Sequence, residues 1–119
     1  MKLSLMPRTL ERAHGDVLIV GQYSEEKRLP ASLAALDRAL AGMMTEVLRA
    51  EKFDGKSSQS AHFYTTGRIP AKRLLVVGLG PRRELSAESV RRAAATAVRR
   101  ARDLGARIVE AEIPAELLE

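Results

Sequence analysis

"LLVVGLG" (residues 74–80) is an apolar strand that runs into a Gly-x-Gly corner, and the basic stretch "PRREL" (residues 81–85) follows it directly. Where such a strand opens a helix through Gly-x-Gly-x-x-Gly, backbone amides at the helix N-terminus cradle a pyrophosphate. Here Arg83 stands at the third glycine position, Pro81 removes the amide donor after Gly80, and the helical pattern begins only at about Ser86. The corner therefore lacks the donors and spacing of a dinucleotide site. Gly78 and Gly80 are expected instead to end the strand in a tight turn with positive φ.

Strand and helix patterns alternate outward from this corner. Upstream, "SAHFYTT" and "RLLVVGLG" read as two strands joined by "GRIPAK", a connection of hairpin or short-loop length. The second is wholly apolar, which places it in the sheet interior. "DVLIVGQY" from Asp16 is another apolar run rich in Val and Ile, covered on both faces, and "KLSLM" before it has the period-2 look of an edge strand expected to lie beside it. Between these pairs, Leu33, Leu36, Leu40, Met43, Val47 and Leu48 recur at three- and four-residue steps, with Asp37, Arg38, Glu46 and Arg49 opposite, and predict one long helix. Pro30 and Ser32 suit its first turn. "FDGKSSQ" (residues 53–59) is a turn by composition.

Downstream, Ser86 is placed to cap a helix whose first turn holds Glu88 and which stops at Leu104, before Gly105. On a helical wheel Val90, Ala93, Ala94, Ala97, Val98, Ala101 and Leu104 share one side, and the alanines suit close packing on a sheet. Arg91, Arg92, Arg99 and Arg102 gather on another side and face solvent. "RIVEAEI" alternates like a further strand, and "PAELLE" starts a helix with proline in its first position, as if the chain once continued. The pattern as a whole predicts a single α/β domain with three layers: a mixed central sheet of about five or six strands with helices on its faces.

Composition narrows the function classes. At 119 residues one core suffices, and with no cysteine neither a disulfide framework nor a thiolate metal cage can form, which fits a reducing cytoplasm. The N-terminal stretch carries no signal-peptide pattern, and the apolar runs fall far short of a membrane span, so no membrane partner is expected. The formal net charge of +5 is matched by one segment, residues 82–107, where eight arginines face only Glu84, Glu88 and Asp103. Elsewhere the charges balance.

Candidate catalytic groups are scattered. Asp16, Glu25, Glu26, Asp37, Asp54 and the C-terminal glutamates fall in patterns of helix faces and turns rather than of a convergent two-metal site. His14 and His62 read as structural or solvated, and Ser57, Ser58 and Ser60 lack a Gly-x-Ser-x-Gly elbow. No catalytic, cofactor-binding or metal-ligating residue is assigned from the residues themselves. Clustered cations alone can contact phosphates, so Arg91, Arg92, Arg99 and Arg102 are the candidates for a DNA-binding face. Against that, only four aromatic residues are available for base stacking.

The pieces "HGDVLIVGQY" (14–23), "LDRALAGMMTEVL" (36–48), "FDGKSSQ" (53–59), "RLLVVGLGPRREL" (73–85) and "VRRAAATAVRRARDLG" (90–105) together resemble the N-terminal domain of the leucyl aminopeptidase, or cytosol aminopeptidase, family. The resemblance runs through nearly the whole chain in order. It implies a macro-domain-like fold and a non-catalytic role, as scaffold or as oligomer or regulatory module, with the glycine corner structural. It also implies a partner: a catalytic domain of the same polypeptide that holds two divalent metals, manganese or zinc, in a cytoplasmic homo-oligomer, a hexamer. The signature of that catalytic domain, similar to Asn-Thr-Asp-Ala-Glu-Gly-Arg, does not occur in this sequence, so none of the family's catalytic residues maps onto it. A macro-like fold also raises ADP-ribose binding, but the stretch "VLIVGQYSEEKRLP" offers no glycine-rich diphosphate loop, which ranks that reading below DNA.

Overall fold

A computed structural model describes residues 1–6, 9–25 and 29–112. Among the described residues five strands form one sheet: β1 (Lys2–Met6), β2 (Val17–Ser24), β3 (Ser60–Tyr64), β4 (Arg73–Pro81) and β5 (Ile108–Glu112), in the order β1-β5-β2-β4-β3. All neighbours are parallel except β3, which runs antiparallel to β4 through the expected hairpin connection. Thr65 closes that connection, its buried hydroxyl donating to the carbonyl of Ala71 and its amide to that of Lys72. The three main helices are α1 (Ala31–Ala39), α2 (Met43–Ala50) and α3 (Ala87–Asp103).

The apolar runs of β2 and β4 are continuous because both faces are covered. Leu18, Val20, Leu74 and Val76 point to one face and meet Leu33, Leu36, Leu40, Met44 and Leu48 of the α1–α2 layer. Val17, Ile19, Leu75 and Val77 point to the other and meet Ala97 and Ala101 of α3. Fully burying each such leucine or valine contributes about 1.5–3 kcal/mol, so the two central strands stabilise both layers.

The structure corrects several expectations. β1 and β2 are not neighbours: β5 lies between them, with Leu3 opposite Val109 on one side and Val17 opposite Val109 on the other. The long helix is two helices, broken where Ala41 and Gly42 both take positive φ. Asp37 rewards the break, because its carboxylate reaches past it to accept from the amides of Met44 (3.0 Å) and Thr45 (3.4 Å) and from the Thr45 hydroxyl. A side-chain acceptor at the start of α2 thus comes from the preceding helix rather than from a residue adjacent in sequence. The third correction concerns Gly78, which has no positive φ, whereas Gly80 does at 76°.

α3 follows its sequence pattern closely at both ends. Ser86 accepts from the Ser89 amide (3.1 Å) while Ser89 accepts from the Ser86 amide (2.9 Å), a reciprocal cap. At the other end Gly105, at φ 76°, donates to Arg102, and Ala106 donates to Ala101, the paired bonds that terminate a helix. Ala93, Ala97 and Ala101 are buried, and Val90, Val98 and Leu104 are half-buried. Ala94, expected on the packed side, is exposed. The expected helix at "PAELLE" lies outside the described residues.

Candidate functional site

In an open α/β sheet a ligand site forms beyond the carboxyl ends of two neighbouring strands whose connections leave over opposite faces. β2 and β4 meet that condition, since β2 leads to α1 on one face and β4 to α3 on the other. Residues 53–59 cross the ends of both strands, Gly55 against Tyr23 of β2 and Lys56 against Gly78 of β4. The Gly78 amide donates to the Gln59 carbonyl and the Gly80 amide to the Gly55 carbonyl, both at 2.9 Å. The amides that a phosphate would need are already used.

The fit is tight enough to dictate glycine. A Cβ on Gly78 would stand 1.9 Å from the Lys56 carbonyl oxygen, and one on Gly55 would stand 2.4 Å from that of Tyr23. Gln59 holds the turn in shape, its side-chain oxygen accepting from the amides of Asp54 (3.1 Å) and Lys56 (3.0 Å). "FDGKSSQ" is therefore a plug: its glycine permits close approach, and its glutamine ties the loop to itself and to β4. The basic stretch after the corner is also committed. The Arg82 guanidinium lies 4.1 Å from the centre of the Tyr23 ring, and Arg83 pairs with Glu25 at 3.6 Å on the exposed surface. Both contacts tie the end of β4 to the end of β2.

Arg91, Arg92, Arg99 and Arg102 are all exposed on α3, as the wheel predicts. Arg91 bonds Glu88 at 3.0 Å. Arg92, Arg99 and Arg102 form no ion pair among the described residues. The four span about 17 Å along the helix at 1.5 Å per residue. Such a row can contact anions by charge but carries no base-reading geometry.

The carboxylates are engaged one at a time rather than gathered. Asp16 accepts from the amides of Arg107 (2.7 Å) and Ile108 (2.9 Å), and these bonds hold its carboxyl below the ordinary value of 3.8. Glu110 accepts from the His14 amide at 2.6 Å, and Glu112 from the Ser32 hydroxyl at 3.2 Å. Burial pushes the Glu112 carboxyl upward, opposed by the Ser32 bond. Among the described residues no group of three or more His, Asp or Glu could hold a metal ion. His62 sits exposed on β3, where desolvation first, then the charges of Arg100 and Arg73, lower its pKa below 6.5. No described helix is long and apolar enough to cross a membrane. Sequence reading missed the roles of Asp16 and Glu110 because their partners lie 91 to 96 residues away.

The mixed sheet with helices on both faces is a macro-domain-like α/β unit. It superposes on the macrodomain of Mycobacterium tuberculosis DarG with a TM-score of 0.68 over 92% of this chain and 74% of that one, at 13% identity, a likeness of fold alone. A mutant of tomato leucine aminopeptidase matches with a TM-score of 0.72 and 27% identity over 94% of this chain and 23% of that one. In sequence, the chain is 34% identical over 109 residues to a probable cytosol aminopeptidase of Alkaliphilus oremlandii, covering 92% of this chain and 22% of that protein. It is also 34% identical over 121 residues to one of Thermosynechococcus vestitus, covering 100% of this chain and 24% of that protein. Residues 19–117 match the family model described as cytosol aminopeptidase family, N-terminal domain. The chain belongs to that family. It spans less than a quarter of the length of these relatives.

Proposed function

We propose that residues 1–119 are the non-catalytic N-terminal domain of a metal-dependent leucyl aminopeptidase, serving a two-metal exopeptidase as scaffold or as oligomer or regulatory module. The observation that carries this reading is the plug: the crevice where an open α/β sheet would take a ligand holds the chain's own backbone, with the Gly78 and Gly80 amides bonded to it. Family membership supplies the rest. The partner is a catalytic domain of the same polypeptide that binds manganese or zinc, the assembly is a cytoplasmic homo-hexamer, and the reaction is hydrolytic release of N-terminal amino acids. The test is incubation of the purified chain with leucyl amide substrates and excess manganese or zinc. No turnover above a metal-only blank is expected, and turnover would overturn the reading.

A second reading rests on the exposed, unpaired state of Arg92, Arg99 and Arg102 among the described residues. If these arginines and Arg91 neutralise DNA phosphates, affinity falls with salt at a slope of about 0.9 per contact. Replacing all four with glutamine then flattens the slope by roughly three to four units. A mobility-shift titration at two salt concentrations decides it. The scaffold reading expects weak binding at physiological salt that the replacements leave unchanged.

A further inference from the structure

Among the described residues β3 is one of the two edge strands of the sheet. Its register with β4 sets Ser60 opposite Val77 and Tyr64 opposite Arg73. One pair further at each end, the Gly78 amide donates to the Gln59 carbonyl at 2.9 Å and the Thr65 amide to that of Lys72 at 3.0 Å. Hydrogen-bonded pairs alternate along an antiparallel ladder, so residues 59, 61, 63 and 65 bond toward β4. The N–H and C=O groups of Ser60, His62 and Tyr64 therefore point away from the sheet, and no described backbone group meets them. Such an edge is a template for one more strand.

The side chains say what kind of strand fits. Ala61 and Phe63 pack toward the α1–α2 layer, so Ser60, His62 and Tyr64 stand on the α3 side. That side is basic. The Arg73 guanidinium lies 4.3 Å from the centre of the Tyr64 ring and donates to its hydroxyl. Arg100 of α3 and Arg73 both act on the charge of His62, more strongly than Glu51 does from the end of α2. Neither arginine pairs with a carboxylate among the described residues. Tyr64 is 61% exposed, and beside it Lys72, Arg73 and Leu104 line a pocket of about 180 Å³. Asp16 also borders that pocket, with its carboxylate accepting from the amides of Arg107 and Ile108.

These charges select among the strands that could be added. A second copy pairing β3 with β3 would bring Arg73 and Arg100 against their own counterparts, and like charges across a ladder destabilise it. A strand with carboxylates at alternate positions is complementary instead. We infer that β3 is a docking edge for an extended acidic peptide of a partner protein, added antiparallel, with its carboxylates beside His62 and Tyr64 facing Arg73 and Arg100 and its apolar side chains beside Phe63. Main-chain bonds to the edge supply affinity in this mode, and the alternating side chains supply specificity. The inference does not rest on the aminopeptidase reading.

The test is fluorescence polarisation of the full chain with a fluorescein-labelled Glu-Val-Glu-Val-Glu-Val peptide, which should bind saturably, while its Lys-Val counterpart should not. In the antiparallel register the glutamate amides point at β3 and the valine amides point away. N-methylation of the glutamate amides should therefore weaken binding about tenfold or more, and N-methylation of the valine amides should leave it unchanged. Arg73→Gln with Arg100→Gln should weaken it about tenfold with the circular dichroism kept. His62→Pro removes an outward N–H that no described bond uses, so it should fold and lose binding. The methylated peptides leave the protein itself untouched and decide the point whether or not that variant folds. No binding, or equal loss from both methylations, would overturn the inference. Tighter binding of oligothymidine that displaces the peptide would overturn it in favour of single-stranded DNA, and dimers that the peptide dissociates would overturn it in favour of a second copy.

Discussion

Gly78→Ala tests the plug directly. Gly78 has ordinary strand geometry, so by backbone preference alone alanine should stabilise by roughly 0.5–1 kcal/mol. The tertiary structure reverses the sign, because the new Cβ would stand 1.9 Å from the Lys56 carbonyl oxygen and 2.8 Å from that of Gly55. These are backbone atoms, which cannot swing aside as a side-chain tip does. Residues 53–59 must lift, loosening two backbone hydrogen bonds worth about 1 kcal/mol each. Overpacking of this kind costs about 1–3 kcal/mol in its own right. Since the two penalties overlap, the expected loss is about 2–4 kcal/mol, a fall of roughly 10 °C in Tm for a domain of this size. Gly80→Ala is the comparison: its Cβ meets nothing nearer than 3.8 Å, and only its positive φ opposes substitution, at about 1–2 kcal/mol. Thermal and urea unfolding followed by circular dichroism measure both, and hydrogen exchange at the Gly80 amide reports whether the loop has lifted. A Gly78→Ala protein as stable as the parent would refute the packing described for this crevice.

Three other outcomes follow from single carboxylates. Asp37→Ala removes the acceptor for α2 across the helix break and should cost about 1–2 kcal/mol in urea unfolding, with the loss of helical signal confined to a few residues. For Asp16 the folded pKa lies below the ordinary value, so its stabilising effect is present above pH 3.8 and is lost as pH falls through the folded value. Asp16→Asn should therefore be less stable at neutral pH and show a flatter acid limb, and a parallel pair of acid limbs would contradict the assignment. Glu112 has the opposite sign: its folded pKa lies above 4.5, so ionisation weakens the fold as pH rises from that value through the folded one. Glu112→Gln keeps an acceptor for Ser32 and should raise Tm at pH 7, with the gain vanishing below about pH 4.

Much of this molecule was legible along the chain because much of it is local. The apolar runs of β2 and β4 mark interior strands, and Ser86 and Gly105 mark the ends of α3 through bonds to residues at most four or five positions away. Pro81 and Arg83 depart from the dinucleotide fingerprint within the sequence itself, since one removes an amide and the other a glycine. Strand order was not legible: whether β1 pairs with β2 or with β5 depends on contacts about a hundred residues apart, and nothing in the alternating pattern of β1 selects between them. The apolar spacing runs straight through Gly42 and predicts one helix, whereas the break and the compensating reach of Asp37 across it depend on how α1 and α2 pack. The same holds for Gly78. Local reading assigns its glycine to φ, while the folded structure assigns it to the approach of Lys56, because a residue's own torsions are set by its neighbours in sequence but the room for its Cβ is set by whatever the fold brings against it.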